Sequence, residues 1–323
     1  MQLDRTEIVI RQRTVLELLD LSLLVLKRHF RMIAFCGAIF GLPLMVANIA
    51  LTYWMLGEDA YLAAEHLDNP ELAMNVRHLV HVVLLAVFQF PLVSLPITLF
   101  LGNQIFYSPI GPKRIFQSLK PILWPMFLTL GILRFGLLCL GAELLVDRGL
   151  VWTAMEGWCF VLVPFAVFFR RAGWPFAPEI ISLELCPLRK KTKADISYWD
   201  RLRGLHRVFV ADHIVRWCGA SLFGALLTCM IVALALFLKG VTRGQWEWTP
   251  EFSQFVLPVA LWIVGLYIAV FRFLSYLDSR IRLEGWEIEL RLKAEATRMD
   301  RSVATGSRQT ESNQDSEEAV TSA

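Results

Sequence analysis

Six long apolar runs, at 32–56, 78–101, 121–146, 150–169, 215–238 and 254–277, leave this 323-residue chain few folds to choose from. At about 1.5 Å of rise per residue, each can cross a hydrocarbon core of roughly 30 Å as a helix. A backbone in lipid must satisfy its own N–H and C=O groups, so helices and closed barrels are the available solutions. A barrel would need short alternating strands, whereas segments such as 82–88 and 223–238 are continuously apolar. The expected fold class is therefore all-α: a polytopic membrane helix bundle with six transmembrane helices. A hydrophobic content of 56% and a mean hydropathy of +0.51 exceed what a water-soluble chain of this length usually carries.

The basic residues alternate in side. Twenty-five lysines and arginines fall before the first run, in 102–120, in 170–214 and after Leu277; the intervening loops hold four. Those other loops instead carry Glu58, Asp59, Glu65, Asp68, Glu71, Asp147, Glu247 and Glu251. The basic loops normally stay inside, which predicts an N-in/C-in protein of the bacterial inner (cytoplasmic) membrane with both termini cytoplasmic. Tyr53, Trp54, Trp152, Trp246 and Trp248 lie where amphipathic rings favour the headgroup level. The expected partner of the basic face is the lipid bilayer with its anionic headgroups. No nucleic-acid partner is expected, because the basic clusters are spread over four segments and positive-inside topology already accounts for them.

Around the six-helix domain at 32–277 the chain adds amphipathic pieces. Residues 1–31 read as an interfacial helix, begun by a Thr14/Glu17 capping box, with Val15, Leu16, Leu19, Leu23, Leu26 and Phe30 on one face. The insert 170–214 is too long for a simple connection. Within it Pro175, Pro178 and Pro187 bracket a brief helix near 179–186 that reads as interfacial, serving as a lipid anchor or a partner platform. The basic cluster Arg189, Lys190, Lys191 and Lys193 follows, then a helix from about Trp199. A cytoplasmic helix at 278–300 carries one stripe through Leu277, Ile281, Ile288 and Leu292 and another through Leu283, Trp286 and Leu290. The second stripe is a candidate docking face for another membrane or envelope protein, or it packs within this chain. The polar tail 301–323 is expected to be disordered.

Ionisable groups inside the runs are the candidate functional residues, because burying them in lipid is costly. Arg134 lies near the centre of the third run, and Glu143 and Glu156 lie on the hairpin formed by the third and fourth, which makes these three a candidate intramembrane polar site. Arg216 and Arg272 sit near run ends, where snorkelling is expected. His78 and His81, even with His66 or Glu65, do not make a metal-ligand spacing, so no metal or cofactor is expected. Five of the six cysteines fall inside runs and none forms a C-x-x-C, which reads as buried reduced thiols. Pro91 and Pro96 predict a kink in the second run. Nucleophile elbows, Walker loops and H-E-x-x-H motifs are absent, so no enzymatic activity is expected.

Two stretches carry a resemblance. The run 276–290, YLDSRIRLEGWEIEL, and the run 178–188, PEIISLELCPL, are similar to segments of a family of uncharacterised bacterial multi-spanning integral membrane proteins. That family is grouped loosely with the membrane domain that accompanies glycerophosphoryl diester phosphodiesterases. The resemblance implies a fold more than an activity, and the phosphodiesterase barrel has no counterpart here. The expected function is a non-enzymatic scaffold or assembly component of the cell envelope. The alternative is a transporter or lipid-handling protein with a polar site around Arg134 and Glu156.

Overall fold

A computed structural model describes residues 13–57, 60, 62, 68–105, 111–146, 165–167, 169, 174–188, 196–207, 209–250 and 252–284. All regular structure among them is helical. Eight elements follow in chain order: α1 (Val15–Thr52), α2 (Pro70–Ile105), α3 (Pro112–Ile132), α4 (Leu138–Leu144), α5 (Ala177–Glu179), α6 (Tyr198–Arg207), α7 (Val210–Arg243) and α8 (Leu257–Glu284). Among the described residues, five helical runs are long and apolar enough to cross a membrane: α1 with its following turn, α2, α3, α7, and α8 with the π turn before it. The expected fourth span at 150–169 falls almost wholly outside the described residues, as do 1–12 and everything after Glu284.

The Thr14 side chain accepts from the Glu17 amide and the Glu17 carboxylate accepts from the Thr14 amide, so the capping box starts α1 at Val15. From there the chain does not separate an interfacial helix from a span. It runs as a single helix to Thr52 with one kink, at His29, whose φ of −113° and ψ of 20° leave the helical region. α2 passes uninterrupted through Pro91 and Pro96.

The core is built by α1, α2 and α8, which pack pairwise against one another. α7 leans mainly on α8, and a Cβ at Gly224 would stand 2.8 Å from Ile268 Cδ1, so a larger residue there would require the Ile268 side chain to move. Leu222, Leu226, Met230 and Phe237 on α7 are exposed, as are Cys218 and Cys229; these two thiols face outward and are not packing residues of the core.

Two regions depart from the simple hairpin picture. The third run starts at Pro112, not 121, and Pro121 and Pro125 divide it into short helical pieces ending in a π turn at Phe127–Ile132. The chain then breaks at 133–137, with Phe135 at φ 63°, before α4 resumes. The expected unbroken helix over 121–146 is therefore corrected. The second departure is larger. The segment 177–184, α5 and its π turn, is not an interfacial surface helix: Phe176, Ala177, Glu179, Ile180 and Ile181 are all buried, packed on α2. It turns inward because a carboxylate at its head meets an arginine of α8, and its left-handed end at Leu185 (φ 50°) turns the chain out again. Irregular backbone at this depth is tolerated because protein, not lipid, surrounds it.

Candidate functional site

Where α1, α2 and α8 diverge they leave an open cleft between them. Its walls are mostly apolar, with polar groups from Asn48 and Thr52 of α1, His78 and Gln89 of α2, and Gln254 and Trp262 of the α8 run. Among the described residues, no aspartate, glutamate, lysine or arginine lines it. From Thr52 to Gly41 the cleft follows α1 for about 16 Å, from the acidic-loop end of the helix toward its middle. Gly41 opens the deep part: a Cβ there would lie 2.7 Å from Trp262 Nε1.

Asn48 and Gln89 exchange two amide hydrogen bonds, each 2.8 Å, and so satisfy each other across the α1–α2 contact. Thr52 Oγ1 donates to the Asn48 carbonyl at 3.0 Å and lies 3.4 Å from His78 Nε2. Two buried ring nitrogens, Trp262 Nε1 and His78 Nδ1, have no hydrogen-bond partner among the described residues. Buried polar atoms are normally paired, so these two stand out on an otherwise satisfied cleft wall.

Beneath the cleft lies charge. Phe90, on the cleft wall, stacks 5.2 Å from the Arg272 guanidinium. Arg272 donates from Nε to Glu179 Oε1 and from Nη2 to Ser94 Oγ, both at 2.7 Å. Ser94 is about 16 Å along α2 from its Ile105 end, so this pair lies well inside the apolar length of that helix. Further along α8, Tyr276 donates to Glu184 Oε1 at 2.7 Å, and Arg201 of α6 grips the same carboxylate with Nε and Nη2. Asp278 then accepts from Arg216 Nη2 at 2.7 Å and from the Arg13 amide at 2.9 Å, with Arg282 Nε 3.0 Å away. The two stretches that carry the family resemblance thus meet in space. Glu179 and Glu184 come from one, Tyr276 and Arg280 from the other, with Arg280 reaching the Tyr276 hydroxyl at 3.3 Å.

The residues singled out from sequence are distributed differently. Arg134 is buried in the chain break, donates to the Trp174 carbonyl and stands close enough to His206 to act on its charge. Glu143 is buried and faces His81, whose Nδ1 lies 2.9 Å from the carboxylate. Glu156 lies outside the described residues, as do Trp286 and Leu290 of the docking stripe. Leu283, the stripe's described member, is half-buried against the main core, together with Leu277 of the other stripe. Arg272 and Arg216 do not snorkel; both are buried in ion pairs. Neutral polar residues inside the apolar runs, Asn48, Thr52 and Gln89, were the signal available for the cleft.

One charged-to-neutral choice lies outside the spans. His206 on α6 donates from Nδ1 to the Leu202 carbonyl at 2.6 Å and accepts the Phe176 amide on Nε2 at 3.3 Å, which clamps the insert in place. Burial pushes this imidazole from its ordinary 6.5 down to about 3, and the nearby His213 and Arg134 charges push the same way. The folded state therefore holds His206 neutral while the unfolded state takes up a proton below pH 6.5, so stability falls as pH falls. The expected loss is about 1.4 kcal/mol per pH unit between about pH 6 and pH 4. Melting of the detergent-solubilised protein should show it, and His206→Gln should flatten the slope; an unchanged slope in that variant would assign the acid sensitivity elsewhere.

No family model, curated protein or solved structure matches this chain.

Proposed function

We propose that this protein binds an acyl lipid within the bilayer, in the cleft between α1, α2 and α8, as a lipid-handling membrane protein. One observation carries the reading: a largely apolar cleft lined by uncharged hydrogen-bonding groups, two of its buried ring nitrogens unpartnered among the described residues, between membrane-length helices. Small-molecule sites have this mostly apolar composition with a few polar groups, and lipid is the abundant amphiphile around membrane-length helices. The ion pairs beneath are read as the rigid base that holds the cleft's helices. The reading keeps the lipid-handling expectation but moves its site from Arg134 and Glu156 to Asn48, His78, Gln89 and Trp262. With it goes the topology argued from charge: six spans, both termini cytoplasmic, in a bacterial inner membrane, and membership of the family that the runs 178–188 and 276–290 resemble.

The test is a labelling map in cells fed a diazirine fatty acid, so that every acyl lipid carries the probe. Crosslinks are expected at Met45, Ile49, Val82 and Leu261 in excess of those at Leu222, Leu226 and Met230 on the outward face of α7. Gly41→Val, which fills the deep cleft against Trp262, should reduce the excess severalfold while leaving α7 labelling unchanged. Labelling at the same level on both surfaces would overturn the proposal.

A scaffold role retains one supporting observation: the face of α7 turned away from α8, through Leu222, Leu226, Met230 and Phe237, is exposed among the described residues. A partner's transmembrane helix would protect that face from the same probe, so depleted α7 labelling in native membranes relative to nanodiscs would favour it.

A further inference from the structure

Away from the cleft, α1 and α3 meet through an aromatic contact that cations flank. Phe35 and Phe116 cross edge to face with ring centroids 6.4 Å apart, and both are exposed among the described residues. The two helices run the same way, opposite to α2. His29 of α1 packs on Phe100 and Asn48 on Gln89, while the third run starts after the Ile105 end of α2 and brings Phe135 onto Phe88. Arg31 precedes Phe35 by four residues, past the kink at His29, and Lys113 precedes Phe116 by three. Each cation therefore shares the face of its ring, one turn toward the basic-loop end. A phenyl centroid stands about 3 Å from its Cβ, so the two phenylalanine Cβ atoms are at most about 12 Å apart. Arginine and lysine ends each reach about 6 Å from Cβ, enough for Arg31 and Lys113 to meet one phosphate between the helices. Both cations are exposed, and neither is in an ion pair among the described residues. No aspartate or glutamate occurs in 21–57 or in 111–142, so neither element supplies a carboxylate to the seam.

We propose that this seam binds one anionic phospholipid of the leaflet on the basic-loop side. Its phosphate lies between Arg31 and Lys113, which donate charge-assisted hydrogen bonds to the phosphate oxygens. Its acyl chains run over Phe35 and Phe116 toward Leu42 and Leu123, the exposed residues two turns further along the same faces. Lys120 shares that face of α3 and adds a third cation. A zwitterionic lipid offers the same phosphate but brings a cation of its own against the two already there. Positive-inside topology accounts for how many cations this end of the protein carries, but not for a pair set one turn from touching, exposed rings. The site shares no residue with the cleft, so the two readings stand or fall separately.

The experiment uses the full chain in phosphatidylcholine nanodiscs with a trace of photoactivatable phosphatidylglycerol or photoactivatable phosphatidylcholine of identical acyl chains. Crosslinked peptides holding Phe35 and Phe116 are quantified against those holding Leu226 and Met230 on α7. The phosphatidylglycerol probe is expected to label the seam roughly tenfold more than the phosphatidylcholine probe, with no such preference on α7. Arg31→Gln/Lys113→Gln should cut that preference severalfold. Arg203→Gln/Arg207→Gln removes two exposed cations of α6 instead and should leave it within about twofold. Equal labelling of the wild-type seam by the two probes overturns the proposal, and that comparison needs no variant to fold. Equal losses in the two double variants overturn it as well, because the preference would then belong to the basic surface as a whole. So does an undiminished preference in Arg31→Gln/Lys113→Gln. A seam protected from both probes in native membranes but not in nanodiscs would give the site to a protein partner.

Discussion

Arg272→Leu is expected to destabilise the folded protein by about 3–5 kcal/mol, the range for removing one partner of a buried ion pair. The guanidinium is 9% exposed, and Glu179 beneath it is fully buried. Glu179 Oε2 already has no hydrogen-bond partner among the described residues, so losing the bond to Oε1 would strand an entire carboxylate in protein at membrane depth. Ser94 and the Phe90 ring would lose their contact as well. Glu179→Leu should be comparably severe, since it strands the arginine instead. The double variant Glu179→Leu/Arg272→Met should recover most of the loss, because a well-packed apolar pair replaces a desolvated ionic one at little net cost. Unfolding in mixed micelles measures all three. Single variants within about 1 kcal/mol of wild type would mean that water reaches and screens the pair.

This pair shows where reading the sequence succeeds and stops. Hydropathy locates the long helices because lipid solvation acts on every residue of a run, and the capping box marks the start of α1 because its two hydrogen bonds are local. The partner of a buried charge is a different kind of information. Glu179 and Arg272 are far apart in the chain, and the short segment around Glu179 has the mixed apolar and acidic pattern of an interfacial helix. Periodicity reveals that such a segment has an apolar face but not what covers it. Arg134 was legible as a buried charge, but its partner was not: its position depends on a backbone break at Phe135, and apolar averages do not register φ. The cleft was obscured by the opposite effect, because Asn48, Thr52 and Gln89 are neutral and each is outweighed by the apolar residues around it. The two stretches that carry the resemblance were the better guide, since they supply both halves of the Glu184–Tyr276–Arg280 cluster.

Asp278→Ala is expected to cost about 3–5 kcal/mol as well, but through a different part of the bundle. Its carboxylate holds Arg216, 3% exposed, whose Nε and Nη1 are buried without partners among the described residues. Asp212, at 2.9 Å, remains as a second carboxylate but is partly exposed and on the same helix, so it restrains Arg216 without tying α7 to α8. The same carboxylate accepts the Arg13 amide, one residue before the Thr14 cap, so its loss also frees the start of α1. Asp278→Asn keeps an oxygen for that amide and loses the charge, and should fall between alanine and wild type. Arg272 and Asp278 lie about 9 Å apart along α8, yet they fasten different elements: the segment 177–184 in one case, α7 and the head of α1 in the other. Hydrogen exchange separates them. Asp278→Ala should speed exchange in the first turns of α1 and α7 and spare 177–184, whereas Arg272→Leu should do the reverse. If both variants open both regions equally, α8 is a single cooperative anchor, and its ion pairs cannot be treated as independent fastenings of the bundle.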